Sequence, residues 1–266
     1  MDGRVTMKRD EILLEFPLCC LAMDYIEEDI ISHIISYCVV RRSHKIDTQI
    51  EKRIEYYTGK FPEDFNPESE TDCQILLASK ELGLSISTIQ INNKRFSNVS
   101  NFIQEYEYKY GKDAYCRIGK NLLFETRDGK FQYKSFTVLC AIQSIIGKRK
   151  PFTRIIKDRI RYRMVGYKSK DIAHKEMNGE QLLLTDRQLG TIINFLYTKQ
   201  FFSKFTYARR QTFYSTRLTD EELREEVKNM KIYFAKKKSG IEDDKATKDI
   251  KSHLRLIKHP LGVKSA

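Results

Sequence analysis

The chain has 266 residues, with 48 Lys and Arg against 36 Asp and Glu and a formal net charge of +12. Its 41% apolar residues, including 15 Phe and 15 Tyr but no Trp, are enough for a packed core and exclude wholesale disorder. No uninterrupted apolar run reaches the roughly 18–20 residues of a membrane span; the best, 30–40, is broken by Ser32, His33 and Ser36.

The first residues are charged rather than apolar, so the reading is a cytoplasmic protein without a signal peptide. Cysteines stand at 19, 20, 38, 73, 116 and 140 with no C-x-x-C pair, mostly inside apolar stretches, which fits buried reduced thiols. The charge is uneven. Between 148 and 217 there are 17 bases and five acids, whereas the remainder carries 31 of each. The whole excess therefore lies in one stretch of 70 residues, interleaved with aromatics, which points to a polyanion partner, nucleic acid before membrane.

In chain order, 24–42 reads as a helix: Ile26, Ile30, Ile31, Ile34, Ile35 and Cys38 recur at helical spacing and three acids fill the first turn. Residues 60–71, with two prolines, read as loop, and 43–71 as an insertion. Helices follow at 72–82, stopped by Gly83, and at 96–110. Residues 115–125 and 130–134 flank Arg127-Asp128-Gly129, a pattern that predicts a β-hairpin.

The second half repeats this order. An apolar helix covers 136–146, Pro151 keeps 151–154 extended, and 155–167 is helical. A polar connection at 168–181 leads to a helix over 186–199, opened by Thr185 and Gln188 as a capping box. Aromatic-rich strands at 201–207 and 211–217 are joined by Ala208-Arg209-Arg210, and a charged helix after Thr219 runs into a tail. The fold class expected is mainly α with small β-hairpins (α+β), in two winged-helix-like domains at 1–134 and 135–218, followed by 219–266.

Three helices and a hairpin form a plan in which the third helix buries one stripe and offers the other to a DNA major groove. In the helix 186–199, Leu189, Ile192, Ile193 and Leu196 turn inward. Arg187, Gly190, Thr191, Asn194 and Thr198 face out, and Gln188 joins them at the first turn. Arg suits guanine, Asn suits adenine, and Thr can approach a thymine methyl. The hairpin adds Lys204, Arg209 and Arg210 for phosphate, with Tyr207 and Tyr214 nearby. The helix before it adds Arg159 and Arg163, beside Lys157 and Arg161. In the first half, Arg95, Asn98 and Asn101 with Gln104, and Lys120 and Lys130 with Arg127, are the corresponding candidates, opposed by Glu105 and Glu107.

The element order, the phrase Arg159-Ile-Arg-Tyr-Arg-Met-Val-Gly-Tyr-Lys-Ser-Lys and the phrase Leu184-Thr-Asp-Arg-Gln-Leu-Gly before a hairpin together resemble the tandem winged-helix replication initiator proteins of plasmids and phages. The resemblance covers about 16–217. It implies binding of repeated origin DNA, dimers and monomers that behave differently, opening of the origin, recruitment of host replication proteins, and no catalysis.

Enzyme chemistries lack their residues. The five histidines form no H-x-H or H-E-x-x-H group and there is no P-loop, so no metal, cofactor or nucleotide site is expected. Ser252-His253-Leu254-Arg255 lacks the downstream tyrosine that a recombinase needs. The expectation is a non-catalytic protein for double-stranded DNA, with a transcriptional regulator of the same architecture, a nucleic-acid-cleaving enzyme and an RNA-binding protein as the alternatives.

Overall fold

The computed structural model describes residues 12–24, 26–43, 70–83, 86–147, 150–177, 184–207 and 211–239, and of 42–43, 70–74, 80, 86–97 and 236–239 the backbone only. The protein is mainly helical with two small antiparallel sheets, as the sequence predicts. In the first half, β1 (Leu13–Pro17) leads through a 3-10 turn (Leu18–Ala22) to α1 (Glu27–Ser43). Then come α2 (Glu70–Leu82), α3 (Ile86–Tyr110), β2 (Tyr115–Gly119) and α4 (Lys120–Arg127).

The second half runs α5 (Tyr133–Ile146), β3 (Thr153–Arg154), α6 (Lys157–Met164), α7 (Lys170–Glu176) and α8 (Asp186–Thr198). It closes with β4 (Ser203–Tyr207), β5 (Gln211–Ser215) and α9 (Asp220–Ser239). Its three strands lie in the order β3-β5-β4, with Thr153 opposite Tyr214 and Tyr207 opposite Gln211.

The hairpin expected at 115–134 is not formed. β2 pairs instead with β1, Leu13 opposite Gly119 and Pro17 opposite Tyr115, and α4 occupies the place of the predicted turn and second strand. The reason is local. Leu122, Leu123 and Thr126 give 120–127 a buried helical stripe, and Asp128-Gly129 ends that helix. Gly129 has φ +71°, and the N–H groups of Asp128, Gly129 and Lys130 donate back to Phe124, Thr126 and Glu125. The Asp-Gly pair, taken for a hairpin signal, is a helix stop. Two further elements were not expected: β1, and α7 inside the polar connection, capped by Ser169.

One continuous core spans both halves. α5 is its centre, buried along almost its whole length and supporting β2, α6 and α8. The boundary expected between 134 and 135 falls in the first turn of α5. Phe16 of β1 stacks on Phe136 of α5 at 6.5 Å. After α6, Gly166 takes φ +91°, and a Cβ there would stand 2.6 Å from the backbone nitrogen of Ala22. The seam between the halves is thus closed backbone to backbone. Cys19, Cys20, Cys38, Cys116 and Cys140 are free and buried, and burial raises the Cys38 and Cys116 thiols well above their ordinary range. Cys73 lies outside the described side chains.

Candidate nucleic-acid interface

The helix α8 is built as its sequence dictates. Thr185 accepts from the Gln188 N–H at 3.3 Å, and the Gln188 carboxamide accepts from the Thr185 N–H at 3.0 Å, so the capping box is complete. Leu189, Ile193 and Leu196 are buried against α5. That orientation leaves Arg187, Thr191, Asn194 and Thr198 exposed along one line. Gln188 is exposed too, but its carboxamide is already engaged in the cap. Gly190 has open space around its Cα.

The line is fixed from both flanks. On one side Lys204 of β4 donates from Nζ to Oδ1 of Asn194 at 2.9 Å and sits 4.8 Å from the Tyr197 ring. Asp220 at the start of α9 accepts from the Lys204 N–H at 3.0 Å and from the Tyr197 hydroxyl at 2.5 Å. The Lys204 ammonium is half-buried, and burial lowers its pKa while Asp220 works against that. This charge-assisted bond holds the Asn194 carboxamide in one orientation with its NH2 group directed elsewhere.

On the other flank the turn after α4 comes against α8. Phe131 lies 6.3 Å from Phe195 and 5.7 Å from Phe201, so the first half contributes Lys130, exposed beside Phe131, to the edge of the α8 surface. Neither the aromatic trio nor the Lys204–Asn194 bond was expected from sequence. A signal for the first was there: Phe195 is an apolar residue outside the buried stripe of α8.

The remaining candidates divide. Arg163 is a correction. It is buried to 7% exposure, with Nη1 donating to the carbonyl and hydroxyl of Ser144, both at 3.0 Å, and is closed to any phosphate. Ile160 and Met164 fix which side of this two-turn helix faces the core, and position 163 lies on that side. Lys157 and Arg161 hold the N-terminal turn of α8, donating to the carbonyls of Asp186 (3.3 Å) and Leu184 (3.0 Å). Arg161 also pairs with Asp158 and Asp186, and keeps the Asp186 carboxyl below its ordinary range. Arg159 alone of this group is exposed with neither a side-chain hydrogen bond nor an ion pair among the described residues. Lys168 donates to the carbonyls of Tyr110, Gly111 and Lys112. The basic excess of 148–217 is therefore not all turned outward: Lys157, Arg161, Arg163 and Lys168 close helix ends or the core.

In the first half, Lys120 donates to the Leu82 carbonyl at 3.0 Å and so caps α2. Arg127 pairs with the neighbouring Asp128 at 2.8 Å. Asn98 and Asn101 are exposed on α3, which packs chiefly on α1 and α2. Arg95 lies on α3 with its side chain outside the described residues, as do Arg209 and Arg210 entirely.

The charged helix expected after Thr219 is α9, and what the sequence did not show is that it packs as a strap. It lies along the outer face of the β4–β5 hairpin through Leu223 and Val227 against Phe213, and Lys231 donates to Gln211 at 2.6 Å. Among the described residues no group of three or more His, Cys, Asp or Glu is placed to hold a metal ion, and no helix is long and apolar enough to cross a membrane. Comparison with known protein families, with curated proteins and with solved structures finds nothing that matches this chain.

Proposed function

We propose that this is a non-catalytic protein that binds double-stranded DNA through a winged helix formed by residues 133–215. The plan is helix, strand, helices, then two strands, with the first strand paired to the last. It corresponds to α5, β3, α6 to α8, β4 and β5 in the sheet order β3-β5-β4. In this reading α8 enters the major groove and the β4–β5 hairpin lies on the flanking backbone. The observation that carries it is the line Arg187, Thr191, Asn194 and Thr198, all exposed on one side of a helix whose other side is core, with Lys204 orienting Asn194. The two threonine hydroxyls are turned back onto the carbonyls of Arg187 and Asn194, which leaves their methyl groups for base edges.

The first half is not a second reading head in this proposal, because α4 stands where its hairpin was expected. Its part is to bring Lys130 to the edge of the α8 surface as a phosphate contact. The resemblance to replication initiators supplies the setting, opening of an origin on a mobile element in the cytoplasm with a second copy of the chain and host replication proteins as partners; a regulator of transcription would use the same surface.

Binding to duplexes selected from a random-sequence pool tests the proposal. Wild-type protein is expected to enrich a sequence and to lose affinity steeply with salt. Asn194→Ala is expected to relax preference at one position by about 1–3 kcal/mol while leaving the salt slope unchanged. An Asn194→Ala variant that keeps the wild-type base preference at every position would remove α8 as the reading helix. Nicking of supercoiled DNA with Mg²⁺ or Mn²⁺ would overturn the absence of catalysis. Permanganate reactivity at the bound site separates an origin opener from a regulator that leaves the duplex paired.

A further inference from the structure

Phe195 is 40% exposed on α8, although the other exposed side chains of that helix are polar or charged. Its ring is held from one side by Phe131 and, beyond it, by Phe201, so its position is set before any ligand arrives. Around it stand Thr191 one turn before, Lys199 one turn after, and Lys130 on the neighbouring turn, all exposed. An apolar spot flanked by two lysines does not suit an apolar protein face. It suits a polyanion that carries one apolar group, and in the major groove that group is the C5-methyl of thymine.

We infer that Phe195 is a specificity-determining residue that reads a thymine methyl next to the base read by Asn194. The inference rests on the DNA-binding reading above and adds to it the base. Adjacent helix residues point about 100° apart, so Asn194 and Phe195 address neighbouring positions and not the same base pair. With Lys204 on one lone pair of Oδ1, the Asn194 carboxamide keeps the other for the adenine N6 amino group and its NH2 for N7, and the target therefore contains an adenine beside a thymine. Because the ring is already fixed by its aromatic neighbours, little side-chain freedom is lost when the methyl is covered. RNA presents no such methyl, and its deep, narrow major groove does not admit a helix.

The test changes the DNA and not the protein. Duplexes selected from a random pool are resynthesised with deoxyuridine in place of each thymidine in turn, which removes only the methyl. Wild-type protein is expected to bind about fourfold more weakly at one or two positions, the loss for a single buried methyl. Phe195→Ala is expected to bind the thymine and uracil forms alike at the position beside the base read by Asn194, whatever the Thr191 and Thr198 methyls read elsewhere, and to keep the salt dependence of the wild type. If wild-type protein binds every uracil duplex as tightly as its thymine parent, the assignment of Phe195 falls while DNA binding stands. It falls equally if Phe195→Ala still distinguishes thymine from uracil at that same position. If no sequence is enriched from the pool at all, the reading beneath it falls too.

Discussion

Asp113 sits where the halves meet and carries an unusual burden for a carboxylate. Oδ2 accepts from the Cys19 N–H at 2.7 Å, whereas Oδ1 is buried without a partner. Burial raises the Asp113 pKa, opposed by the N–H groups of Cys19 and Ala114 and by the Lys168 charge. The Tyr106 hydroxyl and Arg163 Nε are likewise buried and unpartnered, and both feel the Asp113 charge. A raised folded-state pKa means that the native protein holds its proton to higher pH than the unfolded chain does. The contribution to stability is then fully present below the ordinary value of 3.8 and is lost as pH rises through the folded value. Asp113→Asn keeps an oxygen for the Cys19 N–H and removes the ionisation. Urea unfolding midpoints taken in pH steps from acid to neutral are expected to show wild type losing stability relative to the variant as pH rises. A difference curve that is flat, or of the opposite sign, would exclude a strained carboxylate at this position.

At the level of elements, α8 exemplifies what sequence reveals well. The capping box, the buried stripe and the exposed line are set by residues within one helix, and all three follow from spacing alone. The pair Asp128-Gly129 is the contrary case: the same dipeptide ends a helix or turns a hairpin, and the choice was made by Leu122 and Leu123 packing against the core. β1 was illegible because its partner β2 lies about 100 residues away, and β2, although inside the strand expected at 115–125, was given the wrong partner. Arg163 was misplaced for a related reason. A short helix of alternating cations and apolar residues has no face until its neighbours choose one. Gly190 remains the residue of α8 whose identity its own helix does not explain. It has no left-handed backbone and nothing within 4 Å of the position of a Cβ, yet it weakens the helix relative to alanine by about 1 kcal/mol. Gly190→Ala is therefore expected to raise the free protein's stability by about that amount in chemical denaturation. On the DNA-binding reading the same change weakens binding to the selected duplex, because the added methyl meets the backbone that approaches there. A variant that is more stable and binds unchanged would make the glycine incidental.

For the molecule as a whole, the question is whether the halves act as separate bodies. Phe16 on Phe136, Lys168 on the carbonyls after α3, Phe131 on Phe195, and Gly166 against Ala22 all cross between them. A single core with α5 at its centre joins these contacts, so the turn that carries Lys130 is held in register with α8. Gly166→Ala probes the seam directly. Its φ of +91° disfavours any Cβ, and the added carbon would lie 2.6 Å from the Ala22 nitrogen, with backbone on both sides and no flexible side chain to yield. A loss of about 2 kcal/mol or more is expected, which for a chain of this size lowers the melting temperature by roughly 4–8 °C. The form of the transition decides more than its midpoint. If the halves are one cooperative unit, circular dichroism and tyrosine fluorescence of the variant fall together in one transition displaced to lower temperature. Two transitions, one of them unmoved from wild type, would mean that the seam joins independent domains, and that the first half can release α8 without unfolding.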